Sequence, residues 1–159
     1  MIVGVTGHRD LGDAGPWVRA AIDSQLTSIA DLVGLSGLAA GADQIFVESV
    51  SRAGGTYEAV IACTGYEATF DDEVSLTEYR RQLSAARAVH LLPYAKPVNE
   101  AFLAVGSWIV DRCELLVAVW NGLPARGIGG TGDVVALAVA RHRRWIHVNP
   151  VERSVREVT

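Results

Sequence analysis

ELLVAVWNGLPARGIGGTGDVVALAVARHRRWIHVNP, residues Glu114 to Pro150, is the stretch on which the fold turns. It opens with a continuous apolar run, Glu114 to Gly122, of the kind a strand buried on both faces requires. Glycines at 127, 129, 130 and 132 follow, and apolar residues then recur with helical spacing from Asp133 to Arg144. A second β-rich run, WIHVNP, closes the stretch. Strand, glycine turn, helix and strand in that order make a βαβ unit, whose two strands run parallel.

Outward from this unit the same alternation continues. Strands are predicted at Ile2 to Gly7, Val33 to Leu38, Thr56 to Cys63 and Ala88 to Pro93. Helices are predicted after Pro16, from Gly41 to Gly55, from Leu76 to Arg87 and from Asn99 to Cys113. Pro16 suits a first helical turn, and Gly54–Gly55 suits a helix stop. Thr64 to Glu73 is polar and acidic and reads as a loop over the edge of the sheet. The expected fold is α/β: a single Rossmann-like domain over residues 1–150, its mainly parallel sheet of about six strands covered by helices on both faces. The expected strand order is 3-2-1-4-5-6, and residues 151–159 read as a polar tail free to fray.

Composition bounds the function. The chain has 159 residues, half of them hydrophobic, and a formal charge of −4, enough for one core but acidic overall. Binding of DNA or RNA along its length needs clustered Lys and Arg, so no extended nucleic acid is expected as a partner. No apolar run approaches the roughly 20 residues that span a bilayer, and no membrane partner is expected. The start, MIVGVTGHRD, lacks a signal-peptide pattern. Cys63 and Cys113 have no metal spacing and sit at the ends of apolar segments, where buried free thiols and a cytoplasmic location are expected. Neither a metal site nor a bound cofactor is expected from the spacing of His, Cys, Asp and Glu.

Ligands of such sheets bind outside the carboxyl ends of the strands, near the point where strand order reverses. Three strand ends are rich in glycine and polar residues: Gly7-His8-Arg9-Asp10, Ser36-Gly37-Leu38-Ala39-Ala40-Gly41-Ala42-Asp43, and Trp120-Asn121 with the glycine loop. A helix beginning near Thr131 or Gly132 presents free N–H groups and a positive dipole end, and Gly129, Gly130 and Gly132 leave room for a phosphate. The other reading of these glycines is a surface loop capped by Thr131 or Asp133. Arg9 offers a planar fork to a phosphate or carboxylate. His8 bonds a ribose or a neighbouring loop. Asp43 either favours its helix N-terminus or accepts from a ribose hydroxyl. Trp120 either packs in the core or stacks on a base.

Two blocks carry a family resemblance. SGLAAGAD, Ser36 to Asp43, is similar to the SGxARGxD turn of DprA-like proteins. SWIVDRCELLVAVWNG with GGTGDVVALA, Ser107 to Ala138, resembles the YpsA-like branch of the same group. With GVTGHRD at the start, the chain resembles the SLOG (Smf/DprA–LOG) superfamily, which implies a Rossmann-like sheet and a nucleotide-derived ligand. LOG enzymes of that superfamily release a base from nucleoside monophosphates through a glutamate in PGGxGTxxE. Aligning Thr131 on that motif puts Val134 at the glutamate position and Asp133 one residue early.

Three functions therefore compete. In the first, a nucleotide or related phosphorylated molecule binds at Gly7, His8, Arg9, Ser36, Gly37, Gly41, Asp43, Trp120, Asn121, Gly129, Gly130, Thr131, Gly132 and Asp133, for sensing. In the second, a carboxylate such as Asp133 supports cleavage of an N-glycosidic bond. In the third, the apolar helix AFLAVGSWIV forms a homo-oligomer seam; its alternative is burial within one domain.

Overall fold

The computed structural model describes residues 1–125 and 127–159; Arg126, within the glycine-rich loop, lies outside them. Leu115–Val119 is a strand buried at every position. It has Leu115, Val117 and Val119 on one face and Leu116 and Ala118 on the other. Counting it as β5, the strands are β1 (Ile2–Gly7), β2 (Val33–Ser36), β3 (Thr56–Ile61), β4 (Ala88–Leu91), β6 (Arg144–Asn149) and β7 (Ser154–Val158). The helices are α1 (Gly15–Leu26), α2 (Ala42–Arg52), α3 (Glu73–Ala85), α4 (Asn99–Arg112) and α5 (Thr131–Ala140).

All seven strands form one sheet in the order β4-β3-β2-β1-β5-β6-β7. Every pairing is parallel except that of β6 with β7. One face packs on α1 and α2 through Val18, Ile22, Phe46 and Val50, and the other on α4 and α5 through Ile109, Val110, Val134 and Ala138. Each of the larger of these side chains, the valines, isoleucines and phenylalanine, contributes roughly 1.5–3 kcal/mol when removed from water. The α/β class and the two helical layers agree with the sequence reading.

Two details differ from expectation. The fourth strand lies at the outer edge beside β3, not between β1 and β5. Its four residues leave Val89 and Leu91 half exposed, the pattern of an edge strand rather than of a buried one. The residues expected to fray instead form β7, which pairs antiparallel along β6 from Ser154 opposite Asn149 to Val158 opposite Trp145. The chain also has a 3₁₀ turn at Tyr66–Thr69, inside the stretch read as an irregular loop. Cys63 and Cys113 are free and buried. Among the described residues no helix is long and apolar enough to cross a membrane.

Candidate functional site

Because β4 moves to the edge, β1 and β5 are direct neighbours, with Gly7 opposite Val119 at their carboxyl ends. From β1 the chain builds outward through β2, β3 and β4, then returns to start again at β5. The crevice between β1 and β5 is therefore the switch point at which such sheets bind ligands. A cleft of about 930 Å³ opens there. The loops after β1, β2 and β5, the 3₁₀ turn and the first turns of α4 and α5 line it.

The loop after β1 is fixed to β5. The backbone N–H of His8 donates to the carbonyl of Val119 at 3.1 Å. His8 Nε2 accepts from the N–H of Asn121, also at 3.1 Å, so its ring proton sits on Nδ1. His8 thus bonds a neighbouring loop. Arg9 reaches across to the turn after β3, donating through Nη1 to the Thr69 carbonyl at 3.0 Å and through Nη2 to the Tyr66 hydroxyl at 3.2 Å. Its guanidinium lies 5.9 Å from the Tyr66 ring centre and 5.8 Å from that of Phe102. Arg9 is exposed, and both rings line the same cleft as this cation.

The loop after β2 is a tight turn around buried polar groups. Ser36 Oγ accepts from the Leu38 N–H at 3.1 Å and itself donates to the Asp43 carbonyl at 3.4 Å. Leu38 takes a left-handed φ of 58° while fully buried, a conformation that costs a side-chain-bearing residue of the order of 1 kcal/mol or more. Gly41 has a φ of 79°, and a Cβ there would collide with the carbonyls of His8 and Arg9. Glycine at 41 therefore joins this turn to the loop after β1, and the Ala42 N–H donates to the His8 carbonyl at 3.1 Å. Gly7 similarly lets the start of α2 approach, since a Cβ on it would overlap Ala42.

Asp43, in the first turn of α2, lines the cleft and is 8% exposed. Its Oδ2 accepts from the Ala39 N–H at 3.2 Å. Burial pushes its carboxyl up to about 7, against the lowering effect of the Ala39 and Gly37 backbone N–H groups and the Arg9 charge. Tyr66 is pushed far above its ordinary range, first by burial, with the Asp43 charge adding to it.

The glycine loop is partly satisfied from within. The Gly129 N–H donates to Asp133 Oδ2 at 2.9 Å, so that carboxylate closes its own loop and does not line the cleft. Gly129, with a φ of 89°, leaves no room for a Cβ between the Asn99 carbonyl at 2.7 Å and the Leu103 N–H at 2.8 Å. Thr131 and Gly132 begin α5 and line the cleft. A helix leaves its first N–H groups without intrahelical acceptors, and among the described residues neither of these two donates elsewhere. Trp120 lines the cleft and packs at once: it is half-buried, its indole N–H donates to the Leu123 carbonyl at 2.7 Å, and it lies against Trp145 and His147. Asn121 Oδ1 accepts from the Leu123 N–H and steadies the same bend.

The cleft wall thus brings together His8, Arg9, Asp43, Trp120, Thr131 and Gly132, while Ser36, Gly41 and Asp133 shape the loops behind it. Sequence reasoning missed Tyr66, Thr69 and Phe102. The signal for the first two was an aromatic residue near the start of a polar, acidic stretch; Phe102 had none beyond its place in the first turn of α4. Among the described residues no group of three His, Cys, Asp or Glu side chains is arranged to hold a metal ion.

No protein-family profile and no curated protein matches this chain in sequence. Solved structures do match in fold. DNA processing protein A (DprA) from Streptococcus pneumoniae aligns with a TM-score of 0.64 and 20% identity, over 91% of this chain and 49% of that one. DNA processing protein A from Helicobacter pylori, described for its single-stranded DNA binding mode, aligns with a TM-score of 0.68 and 14% identity, over 92% of this chain and 64% of that one. The molybdenum cofactor binding protein from Rippkaea orientalis aligns with a TM-score of 0.56 and 18% identity, over 93% and 76%. The chain spans about half of the first and under two thirds of the second. Its fold is therefore the Rossmann-like fold seen in DNA processing protein A.

The likeness also corrects one expectation. Extended nucleic acid was excluded on the acidic balance of the chain, yet a protein of this fold binds single-stranded DNA. Net charge sums the whole surface, whereas a strand is held by a local groove and stacking faces, so the sum excludes nothing.

Proposed function

We infer that this domain is a cytoplasmic small-molecule-binding module, taking a nucleotide or nucleotide-derived phosphorylated ligand in the cleft between β1 and β5 and serving as a sensor of it. The observation that carries the reading is one cleft in which the Arg9 guanidinium, the Asp43 carboxyl and the first N–H groups of α5 meet. The phosphate rests on the Thr131 and Gly132 N–H groups, where the α5 dipole favours an anion, and Arg9 adds positive charge. Asp43 meets a hydroxyl or amino group of the sugar or base, and Trp120 and Phe102 offer apolar faces to a ring. The fold likeness to a molybdenum cofactor binding protein supports a small ligand. The block Ser107 to Ala138 supports a place nearest the YpsA-like branch.

Cleavage of an N-glycosidic bond has less support. Asp133 is committed to Gly129, and Val134, at the LOG glutamate position, lies against Gly106. Single-stranded DNA along the same edge is the second reading, favoured by the likeness to the Helicobacter pylori protein. One thermal-unfolding panel separates them, with AMP, GMP, CMP and UMP beside a short oligothymidylate. A mononucleotide present at a hundred times its Kd is expected to add about 2.7 kcal/mol of stability. Stabilisation by the oligonucleotide alone favours the second reading, and no shift with any of them overturns both.

A further inference from the structure

Among the described residues Asp43 is the one charged side chain that is buried. Its situation is unusual for a carboxylate. Oδ2 takes the Ala39 N–H, yet no Lys, Arg or His among the described residues forms an ion pair with it. Arg9, which shares the cleft, directs its two bonded nitrogens to Thr69 and Tyr66 instead. A carboxylate taken out of water without a paired cation favours its protonated form. The titratable and charged groups that line the cleft with it are His8, Arg9 and Asp10 from the loop after β1 and Tyr66 from the 3₁₀ turn; α4 lines it with Asn99, Phe102, Val105, Gly106 and Ile109, none of them charged. Arg9 is the one of these that holds the Asp43 carboxyl down.

A bound phosphate changes that balance. It draws on the field of Arg9 and sets a second negative charge in the cleft that Asp43 lines. We propose that the cleft takes up its anionic ligand together with one proton, and that the proton resides on Asp43. The proposal rests on the ligand reading above. The step is a protonation only: the carboxylate gains a proton from water, and no bond of the ligand forms or breaks. By linkage the reverse also holds, and protonating Asp43 tightens the ligand by the same factor. Since the carboxyl is already held near 7, this coupling falls in the neutral range and makes occupancy of the cleft sensitive to pH.

The test is AMP binding by calorimetry from pH 6 to pH 8.5, on the wild-type chain and on Asp43→Asn. Ionisation of AMP itself is common to both proteins and cancels in the comparison. The wild type is expected to gain at least about fivefold more affinity than Asp43→Asn as pH falls across this range, because each tenfold change in proton affinity is matched by up to a tenfold change in ligand affinity. Equal pH slopes overturn the proposal and leave the ligand reading intact. No binding to either protein at any pH overturns both. A second measurement needs no variant: the carbon-13 resonance of the Asp43 carboxyl at pH 7.5. AMP is expected to move it toward the protonated position, and an unmoved resonance in an AMP-saturated sample overturns the proposal.

Discussion

Replacing Asp43 by Asn should stabilise this protein, and by an amount that depends on pH. Burial raises the carboxyl from 3.8 to about 7, more than the Ala39 and Gly37 N–H groups and the Arg9 charge lower it. Between those two values the folded chain holds a proton that the unfolded chain has released. Stability contributed at this residue therefore falls as pH rises through that window and is level above it. A thousandfold difference in proton affinity is on the order of 4 kcal/mol. Asn keeps an oxygen for the Ala39 N–H and never ionises. With water entering the open cleft, Asp43→Asn is expected to gain about 2–4 kcal/mol over the wild type at pH 8 and almost nothing near pH 4. Urea unfolding of the two proteins at intervals across this range measures the difference directly. A gap that does not change with pH refutes the reasoning. So does a variant less stable than wild type at pH 8, since the backbone donors and Arg9 would then outweigh burial.

Other residues give separate tests. Arg9→Lys keeps the charge but loses the fork that serves Thr69 and Tyr66 together, and about tenfold weaker mononucleotide binding by calorimetry is expected; unchanged affinity removes Arg9 from the site. Gly41→Ala forces a left-handed φ on a side chain and drives its Cβ into the His8 and Arg9 carbonyls, for a loss of at least about 2 kcal/mol in chemical unfolding. A smaller loss would show that the two loops are not held together at this glycine. Asp133→Asn leaves an acceptor for the Gly129 N–H and removes a negative charge from the start of α5. Mononucleotide binding is expected to tighten by about two- to fivefold, as the anion then meets the helix dipole without a competing carboxylate. Weaker binding in that variant would place the Asp133 carboxylate in contact with the ligand.

Much of this was legible in the chain. The run Leu115–Val119, apolar on both faces, reads as a central strand, whereas the glycines after it fit either a close backbone approach or a surface loop, and the contacts of Gly129 decide for close approach. The strand order was not legible at β4, because Ala88–Leu91 is apolar in either position and only its pairing with β3 leaves Val89 and Leu91 uncovered. β7 was hidden for a related reason. Ser154–Val158 carries two valines among charged residues and becomes a strand because β6 has a free edge beside it. Their places after β1 and β2 put Arg9 and Asp43 on the predicted sheet edge, where both line the cleft, but gave nothing of their surroundings. Tyr66, flanked by Glu67 and followed by Asp71 and Asp72, looked like loop until Phe70 and Tyr79 packed on it, with ring centres 5.6 and 5.5 Å away. Periodicity also could not tell whether Asp133 faced the cleft or turned back on Gly129. That is decided by the bend of the loop, not by the helix that follows.

Anion binding where β1, β5 and α5 meet underlies the proposed function. Its most direct test is a map of backbone amide shifts in nitrogen-15-labelled protein titrated with AMP. The largest movements are expected at Thr131 and Gly132, with Gly7 to Asp10 and Asp43 next, all following one binding curve. Saturable movements confined to another surface, such as Arg141 to Arg144, with Thr131 and Gly132 unmoved, would contradict it.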